Sequence, residues 1–214
     1  MTHSHSNFRT YQKSKCIFFR KTKEEWGGFS NMAGGYDLNV DGVKILTSEA
    51  LYQACRFPHL PEVQRLIIHQ SSPMSAKMVG KPHRTNTRPG WMRNRISIMK
   101  WCIRVKLLNH PKQFGELLLS TKDFPIVEWS KKDDFWGAKL YQEEYFTGVN
   151  ALGRLLMELR EEIRSNQGVF FNGLDPLNIE KFNLLGNPIQ TQYIVHSDKY
   201  QIDSKKDSQL NLLD

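Results

Sequence analysis

The sequence predicts a compact, mainly helical α+β fold with a small antiparallel β element. Several segments repeat apolar residues at helical spacing, and one short segment alternates around an Asp-Gly pair as a hairpin does. Hydrophobic residues make up 39% of the 214 residues, which is enough for a core. We divide the chain into a flexible segment over 1–14, a core domain over 15–164 and a C-terminal extension over 165–214 of undetermined structure.

The N-terminal half predicts short strands followed by short helices. A first strand is expected over 16–20 and a hairpin over 36–46, with its turn at Asp41-Gly42. Thr47 is placed to cap a helix over 48–57. Further helices are expected to begin at Pro61 and at Ser72-Pro73, because proline is favoured in a first helical turn.

The C-terminal half predicts three longer helices. The first runs from Trp91 to His110 and carries an apolar line formed by Ile96, Met99, Ile103 and Leu107. A second helix begins at Pro111, and a strand over 125–129 leads into a loop over 130–148. Asn150 lies near the N-cap of the last helix, whose apolar residues follow helical spacing: Leu152, Leu155, Leu156, Leu159 and Ile163.

The positive charge is concentrated in one stretch. The net charge is +8, yet residues 63–115 contain no acidic residue. The same stretch carries eleven basic residues: Arg65, Lys77, Lys81, Arg84, Arg88, Arg93, Arg95, Lys100, Arg104, Lys106 and Lys112. Such a field favours an anionic partner, a nucleotide or nucleic acid, and the alternative is an ordinary solvated basic surface.

Several protein classes lack support in the sequence. No stretch approaches the roughly 20 apolar residues of a membrane span, and the polar N-terminus has no apolar signal region. Three widely spaced cysteines in apolar surroundings fit reduced thiols in a cytoplasmic protein: Cys16, Cys55 and Cys102. The sequence lacks zinc-ligand spacings, phosphate-binding loops and nucleophile motifs, so we expect neither a metal nor a cofactor.

Two groups of polar residues are candidates for chemistry. Glu49, Gln53 and Arg56 share one face of the first predicted helix, although a solvated face would look the same. Asp133 and Asp134 precede Trp136-Gly137 in a loop, where the alternative is a turn with a core-filling tryptophan. Trp91 adjoins arginine-rich sequence, where a base can stack on its ring. Asn150 is most simply a helix cap.

In order along the chain, these segments resemble one family. The matching segments run from about residue 16 to residue 163: Phe29-Ser30-Asn31-Met32-Ala33, Asp41-Gly42, Thr47-Ser48-Glu49-Ala50-Leu51-Tyr52-Gln53-Ala54, Ser72-Pro73-Met74, Trp91, Lys106, Val127-Glu128, Asp133 to Gly137, and Asn150 to Glu161. Together they resemble the NADAR family, also called YbiA-like N-glycosidases.

The resemblance implies metal-free cleavage of N-glycosidic bonds. Family members act on ADP-ribose attached to guanine, or on phosphorylated early intermediates of riboflavin synthesis. By motif position, Glu49, Trp91, Asp133 and Trp136 correspond to active-site residues. Glu49 and Asp133 are the candidate catalytic carboxylates, and the sequence does not decide which is the base. We expect substrate contacts from seven residues: Arg20, Asn31, Arg56, Trp91, Trp136, Gly137 and Asn150.

The resemblance extends to one branch of the family. Residues 19–24, 55–59 and 101–106 look more like relatives that are paired with DNA-modifying ADP-ribosyltransferase toxins. Those relatives are antitoxins that remove ADP-ribose from guanine in DNA. Where the family often has Gln-Lys-Phe, this chain has Cys55-Arg56-Phe57, so a lysine role cannot be carried over there. Lys106 is a weaker candidate for a lysine that traps the opened sugar as a Schiff base.

Three functions follow as hypotheses. The first is removal of ADP-ribose from guanine in DNA, opposing an ADP-ribosyltransferase toxin. The second is N-glycosidase action on phosphorylated riboflavin intermediates. The third is a non-catalytic module that binds ADP-ribose or nucleic acid. The sequence gives no oligomeric state and no sign of membrane binding.

Overall fold

The computed structural model describes residues 7–166 and 173–194, and its helices surround one long central helix. The helices are α1 (Ser48–Ala54), α2 (Pro61–Ile68), α3 (Pro73–Val79), α4 (Trp91–Asn109), α5 (Pro111–Ser120) and α6 (Ala151–Ser165). The strands are β1 (Arg9–Gln12), β2 (Ile17–Phe19), β3 (Leu38–Val40), β4 (Val43–Ile45), β5 (Ile126–Glu128), β6 (Lys139–Tyr141), β7 (Tyr145–Gly148), β8 (Asn183–Leu184) and β9 (Asn187–Pro188). The predicted α+β class is confirmed.

Local signals produce the predicted hairpin and helix starts. Asp41 and Gly42 both have positive φ, 52° and 82°, which joins β3 to β4 through the turn that hairpins prefer. Thr47 Oγ1 accepts a hydrogen bond from Ala50 N at 3.2 Å and caps α1. Ser72 Oγ caps α3 in the same way from Ser75 N at 3.0 Å. The helix predicted over 48–57 ends earlier, at Ala54.

Helix α4 forms the centre of the core. Its buried residues include Met99, Ile103 and Leu107, as the apolar periodicity predicts. Ile96, predicted to continue the same line, is 42% exposed instead. Because α4 packs against α1, α5 and α6, it connects the helix that carries Glu49 with the C-terminal half of the chain.

Two groups of strands complete the core domain. β2 and β5 pair in parallel, with Phe19 opposite Glu128. β1, β7 and β6 form an antiparallel sheet, in which β7 is the central strand. The prediction of a flexible segment over 1–14 was therefore wrong for residues 9–12, which gain hydrogen bonds from β7. The predicted loop over 130–148 likewise contains β6 and β7.

Asn150 joins the last helix to the parallel strand pair. Its side chain is fully buried, accepts a hydrogen bond from Glu128 N at 3.0 Å and donates one to Ile126 O at 2.9 Å. It lies at the N-cap position of α6 with φ of 50°, but its side chain does not cap the helix. Asparagine tolerates this left-handed conformation better than most residues. Asn150 therefore fixes β5 from one side.

The described part of the C-terminal extension packs on the core. Phe182, Leu184 and Ile189 belong to the main hydrophobic cluster. Gln64, which is fully buried in α2, donates to Asn183 O at 2.9 Å and accepts from Leu185 N at 2.6 Å. Residues 173–194 are therefore part of the same folded unit. The rest of the predicted extension, residues 167–172 and 195–214, lies outside the described residues.

The role of Asn150 can be tested by stability. Replacing Asn150 with Ala leaves Glu128 N and Ile126 O without their side-chain partner. We expect the free energy of unfolding to fall by about 3 kcal/mol, because unpaired buried backbone groups carry a desolvation cost. Urea denaturation measures the change. The exposed Asn86→Ala is the control and should shift stability by less than about 0.5 kcal/mol; equal effects of the two substitutions would contradict this role.

Candidate active site

A cleft of about 370 Å³ opens where α1, α3, α4 and the end of β5 approach one another. Seven of the sequence-predicted site residues line it: Arg20, Asn31, Glu49, Arg56, Trp91, Asp133 and Trp136. They come from segments far apart in the chain, so the fold brings together residues that the sequence shows only as separate motifs.

Glu49 lies in the first turn of α1 and is only 7% exposed. Its Oε1 accepts a hydrogen bond from Gln53 Nε2 at 3.0 Å, one helical turn further on. Lys77 Nζ from α3 lies 3.9 Å from the same oxygen. The predicted shared face of Glu49, Gln53 and Arg56 thus faces the cleft rather than solvent.

Glu128, the last residue of β5, is a second carboxyl of the cleft. Its pKa is raised to about 7, chiefly by burial; the nearby charges of Asp133 and Glu49 also raise it, and the charge of Lys77 lowers it. A carboxyl with this pKa holds a proton near neutral pH and is therefore able to donate it.

Asp133 organises the loop that carries Trp136. Its Oδ1 accepts hydrogen bonds from the backbone N–H groups of Phe135 and Trp136, both at 2.9 Å. This turn directs the ring of Trp136 towards Tyr52, with 5.7 Å between ring centroids. Asp133 itself is exposed at the cleft. These hydrogen bonds indicate that Asp133 holds the shape of this loop, in addition to any effect of its charge on a ligand.

Tyr52, Trp91 and Trp136 form an aromatic wall. The centroids of Tyr52 and Trp91 are 5.0 Å apart, and all three side chains line the cleft. Burial raises the pKa of Tyr52, so its phenol stays neutral. Tyr52 and Trp91 are buried, at 4% and 8% exposed, so the partly exposed Trp136 is the ring of this wall that offers surface to a nucleobase.

Arginine side chains of the cleft lie over aromatic rings. The Cζ atom of Arg20 is 4.8 Å from the ring centroid of Trp129. Arg56 lies 4.5 Å from Trp91. A third pair repeats the arrangement, with 3.5 Å between Arg95 Cζ and the centroid of the Phe135 ring. A ring contacts the face of a guanidinium and leaves its in-plane N–H groups for anions such as phosphate.

Asn31 presents an unused acceptor at the cleft. It is 6% exposed, and its Oδ1 has no hydrogen-bond partner among the described residues. Its backbone oxygen accepts from Glu49 N at 3.0 Å, which fixes the start of α1 against this loop. Buried acceptors are normally paired, whereas Asn31 is held beside the cleft with one desolvated acceptor that is unpaired within the described ranges.

The cations of the acid-free stretch divide into four groups, one of which is the exposed set Arg65, Lys81, Arg93 and Lys112. Lys77, Arg84 and Arg95 line the cleft. Lys100 and Arg104 form ion pairs with Glu158 and Glu162 of α6. The last group is buried and structural, as Arg88 shows by donating to the backbone oxygens of residues 180 and 181. Only part of the predicted basic surface is therefore available to an anionic ligand.

Lys106 does not reach the cleft. Its side chain is 1% exposed, and its Nζ donates to the backbone oxygens of Gly28 and Ser30. Nζ also lies 4.0 Å from the centroid of the Tyr36 ring. Burial lowers the pKa of Lys106 to about 7. The predicted Schiff-base role does not fit this geometry, and the contacts indicate that Lys106 supports the backbone behind Asn31.

Gly137 and Asn150 are structural rather than substrate-binding. A Cβ atom on Gly137 would lie 2.4 Å from Glu128 O, so glycine is needed for the loop to pass along β5. The side chain of Asn150 is committed to the backbone of β5. Neither residue lines the cleft.

Sequence reasoning missed Glu128, Tyr52 and three cations of the cleft. Val127-Glu128 lay within the matching segments, but its role depends on neighbours that only the fold supplies. Tyr52 follows Glu49 by three residues and so shares its helix face, which was a usable signal. Lys77, Arg84 and Arg95 were noticed only as members of the acid-free stretch.

The described part of the chain has neither a cluster of metal ligands nor a membrane-spanning helix. Across residues 7–166 and 173–194, histidine, cysteine and acidic side chains do not gather in threes as a metal site requires. His3, His5 and His196 lie outside that part of the chain. Within the same ranges, we find no helix with the length and apolarity to cross a bilayer.

Comparison with known proteins gives consistent matches. The family model described as "NADAR domain" matches residues 17–164. N-glycosidase YbiA of Escherichia coli is 34% identical over 150 residues, covering 69% of this chain and 88% of that protein. An N-glycosidase of Nostoc punctiforme is 32% identical over 151 residues, covering 70% and 93% of the two chains.

Two further matches come from a larger protein and a solved structure. The chloroplastic riboflavin biosynthesis protein PYRR of Zea mays is 33% identical over 164 residues, covering 71% of this chain and 26% of that protein. The NMR structure of E. coli YbiA superposes with a TM-score of 0.60 at 30% identity, covering 72% of this chain and 92% of that chain. The chain therefore belongs to the NADAR family.

Proposed function

We propose that this protein is an N-glycosidase that removes ADP-ribose from guanine bases, in DNA, and so opposes an ADP-ribosyltransferase toxin. The observation that carries the proposal is the pairing of Glu128, which holds a proton near neutral pH, with Glu49 in a cleft rich in arginine. Relatives named N-glycosidases and the family match support the type of bond that is cleaved.

The two glutamates divide the chemistry. As the bond from the sugar carbon to the base nitrogen breaks, its electron pair goes to the base and the sugar becomes oxocarbenium-like. Glu128 donates its proton to the departing base. Glu49 stabilises the positive sugar and takes a proton from the water that attacks the sugar carbon. Glu128 ends deprotonated and Glu49 protonated, and exchange with solvent restores both.

The charge balance of the cleft favours a diphosphate ligand. Five cations line it, Arg20, Arg56, Lys77, Arg84 and Arg95, against the three carboxyls of Glu49, Glu128 and Asp133. With Glu128 protonated the cationic excess increases. ADP-ribose carries two phosphate charges and an adenine, which suit the stacked arginines and the aromatic wall.

The proposed substrate is tested by product release. Oligonucleotides ADP-ribosylated on guanine should release free ADP-ribose without added metal, detected by chromatography. The alternative substrate class is the phosphorylated aminoribosyl pyrimidines of riboflavin synthesis, which the name of the Zea mays relative suggests. Turnover of those compounds with no release of ADP-ribose from the oligonucleotide would overturn the proposal in favour of that alternative.

Replacing Glu49 with Gln should lower kcat by at least about a hundredfold, because the charge that stabilises the sugar cation is lost. Binding of ADP-ribose, measured by calorimetry, should change much less. Glu62→Gln is the matched control, since Glu62 occupies the first turn of α2 as Glu49 does in α1. A Glu49→Gln variant with normal turnover would contradict the catalytic role and support a non-catalytic binding module.

The pH profile tests Glu128. Its pKa is about 7, so the proton-donating form is present below pH 7 and is lost as the pH rises through that value. We expect kcat to decrease above about pH 7 in the wild type. Glu128→Gln should lower kcat about a hundredfold and remove that decrease, because an amide does not titrate.

Glu25→Gln, at an exposed position outside the cleft, should leave both rate and profile unchanged. A Glu128→Gln variant that keeps the wild-type decrease above pH 7 would assign the titration to another group.

A further inference from the structure

Four large apolar side chains are exposed on the two helices that border the cleft. Met74 and Met78 of α3 are 59% and 47% exposed, and Met92 and Ile96 of α4 are 55% and 42% exposed. We call these four residues the apolar rim. Single exposed apolar residues are ordinary, whereas a set beside a functional cleft indicates an interaction surface.

The two helices repeat one pattern. Lys77 of α3 lines the cleft, with Met74 three residues before it and Met78 one residue after it. Arg95 of α4 also lines the cleft. Met92 lies three residues before it and Ile96 one residue after it, the same spacing as on α3. Residues four apart lie on the same side of a helix, so each pair forms an apolar strip next to a cation of the cleft.

The surroundings of the apolar rim are positively charged. Lys81 and Arg84 are exposed on the turn that follows α3, and Arg93 is exposed on α4 next to Met92. Arg93 forms no ion pair with any residue in the described ranges. Residues 63–115, which contain all these groups, lack acidic residues altogether. A partner for this surface must therefore combine apolar faces with negative charge.

We propose that the apolar rim docks the nucleic-acid strand that carries the modified guanine, with its side chains against the bases next to the target. This inference rests on the proposed function. It adds the surface that contacts the strand next to the modified guanine. A strand of DNA meets both requirements, because bases supply apolar faces and phosphates supply charge at short regular spacing.

The position of the apolar rim suits it to hold the target base outside the base stack. A base inside a duplex is out of reach of a cleft, so it must leave the stack before its glycosidic bond can be cut. Apolar side chains that insert at or cover the neighbouring base steps stabilise such an unstacked state. The strips flank the cations of the cleft, which places them where the neighbours of an inserted base would lie.

Binding of unmodified DNA tests the apolar rim independently of catalysis. The probe is a fluorescein-labelled single strand of about 12 nucleotides, measured by anisotropy at about 0.1 M salt. The double variants Met74→Gln with Met78→Gln, and Met92→Gln with Ile96→Gln, should each raise Kd about tenfold. Leu66→Gln with Phe124→Gln is the matched control, since both residues are comparably exposed at 51% and 48%, and neither lines the cleft.

Rates on two substrates complete the test. The rim variants should lower kcat/KM about tenfold for an ADP-ribosylated oligonucleotide and leave kcat/KM for ADP-ribosylated guanosine unchanged. Unchanged DNA affinity, or equal losses on both substrates, would overturn the inference; the first result would fit a protein partner instead. If neither substrate is cleaved by the wild type, the proposed function fails, while the DNA-binding result still decides the role of the apolar rim.

Discussion

The arrangement of the site depends on the parallel pairing of β2 with β5. In a parallel pair both strands end at the same edge, so Arg20, which follows β2, and Glu128, which ends β5, both lie at the cleft. Most of the core domain, including α1 to α5, forms the crossover between these two strands. Asn150 holds β5 from the side of α6 through two hydrogen bonds. The cleft therefore exists only when the ends of the domain have come together.

The carboxyls of Glu49 and Glu128 have different surroundings in the cleft, which suit the two different roles proposed for them. Glu49 accepts a hydrogen bond from Gln53 and lies 3.9 Å from the ammonium of Lys77. Glu128 is desolvated and lies near other carboxyls, which keeps its proton in place. Arginines held over aromatic rings supply positive charge at fixed positions around the cleft. The residues proposed as acid, charge stabiliser and anion clamp thus line one cleft.

Local features of the fold were predictable, and contacts between distant segments were not. The turn at Asp41-Gly42 and the cap at Thr47 depend on neighbours in sequence, so their patterns were sufficient. Lys106 was predicted as a catalytic lysine and Asn150 as a substrate contact, and both lie in the segments that match the family. The structure shows that they satisfy buried backbone groups instead. Glu128 was missed because its raised pKa arises chiefly from burial, and because only the fold brings Asp133 and Glu49 to the same cleft.

The protonation of Glu128 is the property on which the proposed chemistry depends most. An NMR titration of labelled glutamate carboxyl carbons, assigned with the Glu128→Gln variant, measures it directly in the free protein. The account predicts a midpoint of about 7 for Glu128, and a lower midpoint when the charge of Glu49 is removed by Glu49→Gln. A midpoint near the ordinary glutamate value of 4.5, unaffected by Glu49→Gln, would contradict the account.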